Sequence, residues 1–352
     1  MNDTVPIRTD IPPIDLDAMT NPDDYVMEDN DLRVAANAAL TLGKPLLLTG
    51  EAGVGKSQFA NWLASQLELQ TYLKFVVKST TEAQDLFYQY DALARFHWAQ
   101  IARAFAGGPD ADQTSDEDAS AIDPLRYITY NALGEAILHS IGRKSALEQG
   151  LVSSVMPEAF LNSIPLESSR AVVLIDEIDK APRDVPNDIL DEIDSLSFTV
   201  RELDNKLAKA DKRWRPVVVI TNNSERDLPK PFLRRCIFYQ MRFPSEAVLA
   251  RIVDNRVGRR YEVGESLRSQ GIRFFRYLKG DAGLRQPPGL AELLDWFYTL
   301  AADGANWGPD LSTHPRLYEI TKSTLLKDRH DQVECDRAWL NGALETAGRA
   351  SG

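Results

Sequence analysis

Eight consecutive residues, Gly50, Glu51, Ala52, Gly53, Val54, Gly55, Lys56 and Ser57, carry the densest chemistry in this chain. Two glycines bracket four residues and a Lys-Ser pair follows, which is the spacing of a phosphate-binding P-loop. Glycine lets backbone N–H groups turn inward around phosphate oxygens, where a side chain would collide. A helix starting at the end of the loop would add its N-terminal dipole to the anion site. Lys56 could then reach the β- and γ-phosphates of ATP, and the Ser57 hydroxyl could ligate Mg²⁺. The competing reading is a tight turn with no phosphate, and the strand before and helix after the loop argue against it.

Three further groups fit hydrolysis. Val172 to Glu177 is an apolar run ending in two carboxylates, which a strand would deliver to the C-terminal edge of a sheet, where ligands bind. Asp176 would hold Mg²⁺ through its water shell, and Glu177 would polarise the attacking water as a general base. By itself an Asp-Glu at that place could be a solvated strand end; beside a P-loop it reads as functional. Thr221-Asn222-Asn223 ends another apolar run, placing an amide near the γ-phosphate. Asn223 is favoured over Asn222 because it lies as far past its apolar run as Glu177 does past its own, although a one-residue slip would exchange the two faces. Arg234-Arg235 offers a cation that a neighbouring subunit could present to the γ-phosphate. The alternative is that these arginines anchor a loop or pair with Asp or Glu. A finger acting in trans would require a ring.

The elements needed to position these groups are written in the hydrophobic pattern. Leu46-Leu47-Leu48, Tyr72 to Lys78, Ala171 to Asp176, Pro216 to Thr221 and Ile237 to Met241 read as five strands, with helices between them. Leu32, Ala35, Ala36, Ala39 and Leu40 share a helical spacing capped from Asp29 to Asp31, and Phe59, Trp62, Leu63 and Leu67 share another. Alternating strands and helices predict a parallel α/β sheet. Glu82 to Phe105 reads as an aromatic-rich helical region, and PNDILDEIDSL as one helix. FTVREL and the polar stretch after it read as a small hairpin. Gly108 to Asp123 holds six acids and no base, as expected of a solvated insertion or, less favoured, an acidic docking tail. After Pro244, with Ser245 as a helix cap, only helical patterns follow. The expected organisation is an extended segment over 1–30, an α/β core over 31–243 with an acidic insertion at about 106–124, and a helical domain over 244–352.

Composition narrows the function classes. The chain has 352 residues, 26% of them charged, with 52 acids against 40 bases and a net charge of −12, which disfavours coating nucleic acid. Cys236 and Cys335 form no disulfide framework, which fits the cytoplasm. His97, His139, His314 and His330 lack metal-site spacing. No run approaches the roughly 18 apolar residues of a membrane span, and the N-terminus has no secretory pattern.

These motifs in this order resemble the AAA+ ATPases, and more narrowly the MoxR family. Leu46 to Ser57 looks like Walker A, Leu174 to Glu177 like Walker B, Thr221 to Asn223 like sensor 1, and Arg234-Arg235 like the arginine-finger segment. DEIDKAPRDVPNDILDEID, the insertion from Leu86 to about Ile137 and the FTVREL hairpin are especially MoxR-like. The resemblance implies a P-loop NTPase AAA+ core, with a five-stranded parallel sheet between helices, and a smaller all-helical lid. It also implies Mg²⁺-dependent ATP hydrolysis, a homo-oligomer (a hexamer) and a protein client, with a von Willebrand factor A domain as one candidate. A nucleic-acid motor and a nucleotide-gated scaffold with little turnover are the alternatives. MoxR proteins often begin a lid helix with Ser-Pro-Arg, whose arginine serves as sensor 2. Here Leu284-Arg285-Gln286-Pro287-Pro288 departs from that pattern, leaving Arg285 as the nucleotide-binding candidate and His314-Pro315-Arg316 as a second place to look.

Overall fold

Short runs of Val, Ile and Leu, apolar on both faces, can be satisfied only where helices cover both sides of a parallel sheet. Three such runs form the interior of the sheet, β1 (Leu46–Thr49), β5 (Val172–Asp176) and β8 (Val217–Asn222), and the partly exposed strands β2 (Tyr72–Val76) and β9 (Ile237–Gln240) form its edges. Their spatial order is β2-β5-β8-β1-β9, and every neighbouring pair is parallel. β8 is central, and β1 lies between it and the edge strand β9, with Leu46 opposite Val219 on one side and Ile237 on the other. All five residues of β5 are buried, and each apolar side chain there contributes about 1.5–3 kcal/mol by leaving water. The parallel arrangement brings the ends of β1, β5 and β8 to one edge of the sheet. The expected α/β architecture is the observed one.

The computed structural model describes residues 21–106, 123–261, 263–302, 311–313 and 316–349. Most of the acidic stretch at 106–124, residues 1–20 of the N-terminal segment, and His314 and Pro315 lie outside them. The chain groups into two units, Glu28–Pro244 and Ser245–Gly352, the latter joined by the residues before Glu28.

In the first unit, the helix Asn30–Leu42 begins at Asp29, whose side chain accepts from the Leu32 N–H, and ends at Gly43 with φ +62°. The helix Lys56–Gln66 buries Phe59, Ala60, Leu63 and Ala64. Two expected helices are interrupted. Glu82 to Phe105 contains a 3₁₀ turn (Ala83–Leu86), a strand β3 (Tyr88–Tyr90) and only then a helix (Ala92–Ala106). β3 pairs antiparallel with β4 (Ile128–Tyr130), and tyrosines suit such a pleated surface. PNDILDEIDSL becomes two short helices, Val185–Asp188 and Leu190–Ser195, which break at Ile189 (ψ 3°). The expected hairpin is present as β6 (Ser197–Val200) and β7 (Lys206–Lys209).

In the second unit, helices Glu246–Arg256, Glu265–Gly280, Leu290–Ala302, Leu317–Thr324 and Arg337–Arg349 surround Phe274, Phe275, Trp296 and Phe297, all fully buried. Ser245 caps the first of them by accepting from Val248 N–H. Trp296 donates to the Thr321 hydroxyl at 3.1 Å, which satisfies its buried N–H. Residues 22–24 differ from the expected extended segment. They wind into a 3₁₀ turn, and Asp24, 2% exposed, pairs with Arg259 at 2.5 Å and Arg256 at 3.9 Å. A buried carboxylate needs such partners to remain charged.

Candidate nucleotide-hydrolysis site

Gly50, Gly53 and Gly55 adopt φ of +140°, +79° and +95°, a conformation side chains resist. At Gly50 a Cβ would also stand 2.7 Å from the Met241 carbonyl oxygen. The loop leads directly into the helix that starts at Lys56, with Gly55 at its cap. Lys56 is 6% exposed and its ammonium donates to the Gly50 and Glu51 carbonyls, both at 2.7 Å. Burial lowers its pKa, against the opposing pull of Asp179, Asp176, Glu177 and Glu51.

Asp176, at the end of β5, is the hub. Its Oδ1 accepts from the Ser57 hydroxyl and the Thr221 hydroxyl, both at 2.7 Å, and its Oδ2 pairs with the Lys74 ammonium at 2.7 Å. Burial disfavours its charge, but these donors more than offset that and hold its carboxyl below the usual range. A hydroxyl and a carboxylate in contact beside the loop are hard oxygen donors of the kind Mg²⁺ accepts.

Glu177 follows in the left-handed region, φ +62° and ψ +52°, a conformation costing a non-glycine residue about 1–3 kcal/mol and concentrated at functional sites. Its backbone N–H donates to Thr221 Oγ1 at 2.8 Å. Its carboxylate is held at both oxygens, by Asn223 Nδ2 at 3.0 Å and by Lys180 Nζ at 2.6 Å. Asn222 points elsewhere and accepts from Ser224 N–H. Asp179, 4% exposed, supports the same corner by accepting from the backbone N–H groups of Asn223 and Glu225, each at 3.2 Å.

The structure therefore gathers Gly50 to Ser57, Asp176, Glu177 and Asn223 into one site. Arg234 and Arg235 lie apart from it, on the helix Lys230–Arg235. Arg235 pairs with Asp194 at 2.5 Å and Asp191 at 3.5 Å, whereas Arg234 is exposed. Arg285 belongs to the second unit and is exposed; its backbone N–H donates to Asp331. Asp179, Lys74 and Lys180 are site residues that motif spacing did not single out, and Thr221, the first residue of the Thr221 to Asn223 segment, has a bonding role at Asp176 and Glu177 that the segment did not announce. Lys74 did leave one trace, as the sole charge within the apolar run Tyr72 to Val77.

The family model for the AAA domain (dynein-related subfamily) matches residues 45–236, more than half of the chain. This chain belongs to that family. It is accordingly a P-loop ATPase of the AAA+ class. Similar solved structures include the Thermotoga maritima RuvB Holliday junction branch migration motor, at 12% identity and a TM-score of 0.42, covering 92% of this AAA+ chain and 70% of that one. A variant of the same motor gives the same figures. Likeness at that level carries no functional inference. No curated protein matches the sequence.

Proposed function

We propose that this AAA+ ATPase binds Mg²⁺-ATP at the loop Gly50–Ser57 and hydrolyses it with Glu177 as general base, within a ring of identical subunits that remodels a protein client. The observation that carries the hydrolytic reading is the Glu177 carboxylate, 3.0 Å from the Asn223 amide and one residue from an Asp176 carboxylate bonded to Ser57. In this reading Lys56 leaves the loop carbonyls for the β- and γ-phosphates, while Ser57 and Asp176 would hold Mg²⁺, which supplies charge neutralisation on the phosphates. Asn223 orients the lytic water beside Glu177. Arg234 serves as the finger toward a neighbouring subunit, and Arg285 is kept as the candidate nucleotide-binding arginine.

The narrower assignment is MoxR-like: a hexamer with a client such as a von Willebrand factor A domain protein, working in the cytoplasm. It is supported by the motif order and by the segments DEIDKAPRDVPNDILDEID and FTVREL. The net charge of −12 favours a protein client over nucleic acid, and the two cysteines are free and buried. Glu177→Gln tests the hydrolytic core. It should bind a fluorescent ATP analogue as the parent does and lose turnover by about 10²-fold or more, as expected for a removed general base. Parent-like turnover would assign water activation to another group.

A further inference from the structure

Besides the motif residues, one charged side chain touches the Asp176 carboxylate: Lys74, on β2 at an edge of the sheet. The register places Lys74 opposite Leu174, two residues before Asp176. Alternation puts Lys74, Leu174 and Asp176 on the same face, about 6.6 Å apart along the strand direction. A lysine stem spans that gap, and Nζ meets Asp176 Oδ2 at 2.7 Å. With Ser57 and Thr221 on Oδ1, both oxygens of the carboxylate are engaged. Lys74 is the only one of these three donors that brings a positive charge.

We propose that Lys74 is a positioning residue that neutralises and aims the Asp176 carboxylate while the site lacks metal, and that it yields this place when Mg²⁺-ATP enters. The proposal rests on the reading of Ser57 and Asp176 as the Mg²⁺-binding pair. An ammonium 2.7 Å from Oδ2 and a divalent ion served by the same carboxylate repel each other, so the two cations exchange. The lysine side chain is 42% exposed, so its head can swing into water when displaced. Lys74 thereby sets how much Mg²⁺ the site requires, by competing with it.

The test is the binding of a fluorescent ATP analogue titrated with Mg²⁺, using parent, Lys74→Met and Lys74→Arg in full-length form. Methionine keeps the stem without the charge; should it fail to fold by circular dichroism, Lys74→Gln replaces it. The Mg²⁺ concentration giving half-maximal tightening should fall about two- to fivefold in Lys74→Met, the range for losing a part-exposed ion pair. Lys74→Arg, which keeps the cation, should stay at the parent value. An unchanged or raised Mg²⁺ requirement in Lys74→Met overturns the role of Lys74, because the lysine then either does not compete or contacts the nucleotide itself. A parent whose nucleotide binding ignores Mg²⁺ overturns the metal reading of Ser57 and Asp176 as well.

Discussion

A general base takes a proton from water through a lone pair, and in this structure each oxygen of the Glu177 carboxylate already accepts from one side-chain donor. Asn223 occupies Oε1 and Lys180 occupies Oε2 at 2.6 Å, an interaction that also raises the Lys180 pKa. Removing the ammonium should leave Oε2 open while the amide continues to aim the carboxylate. Lys180→Ala is therefore expected to raise kcat for ATP by about two- to fivefold with KM unchanged, as follows from losing an exposed ion pair. Steady-state turnover across ATP concentrations checks this, and a fall in kcat would instead make Lys180 an aid to the base. Lys180 shows where reading by residue type stops. Asp176, Glu177 and Asn223 stood out because each ends an apolar run, and strand ends share one edge of a parallel sheet. Lys180 sits three residues past Glu177 in an ordinary charged segment. Only the left-handed backbone at Glu177 and the 3₁₀ turn Ile178–Lys180 after it bring the ammonium back onto the carboxylate. No hydrophobic periodicity records a turn of that kind.

Gly134 decides how the antiparallel pair β3–β4 is attached to the core of the first unit. It lies on the buried face of the helix Ala132–Ile141, where a Cβ would stand 2.0 Å from the Phe87 carbonyl oxygen. That same carbonyl accepts from Asn131 N–H at 2.9 Å, so it cannot retreat without breaking a bond. Gly134→Ala should therefore cost about 1–3 kcal/mol through overpacking, despite alanine's better helix propensity. Urea unfolding measures it; a stabilised variant would show that the helix can shift. The same region shows why some elements were legible and others not. β1, β5 and β8 are buried on both faces, so their composition alone identified them. β3 is three residues long and lies among aromatics that fit a helix equally well, so only its long-range partner Ile128–Tyr130 distinguishes strand from helix. The break at Ile189 likewise has no glycine or proline at that residue to announce it.

At the scale of the whole molecule, the two adjacent arginines are expected to do different work. Arg235 is spent within its own subunit on Asp194 and Asp191, which fixes the end of the helix Lys230–Arg235 against Leu190–Ser195. Arg234 is exposed and has no hydrogen-bond or ion-pair partner among the described residues, as a group reserved for another subunit would be. A ring places one face of each subunit against a different face of the next, so every site borrows from one neighbour only. Arg234→Ala should then lose turnover by about 10³-fold or more while still binding ATP, whereas Arg235→Ala should cost under about 1 kcal/mol of stability and little activity. Mixing decides between help from a neighbour and help from within. Arg234→Ala subunits keep a complete loop, and Lys56→Ala subunits keep the arginine. Neither should turn over alone. In an equimolar mixture about a quarter of the interfaces should join an intact loop to an intact arginine, and ATP turnover should return to that fraction of the parent's. If the mixture stays silent although the subunits are shown to co-assemble, Arg234 does not act across an interface.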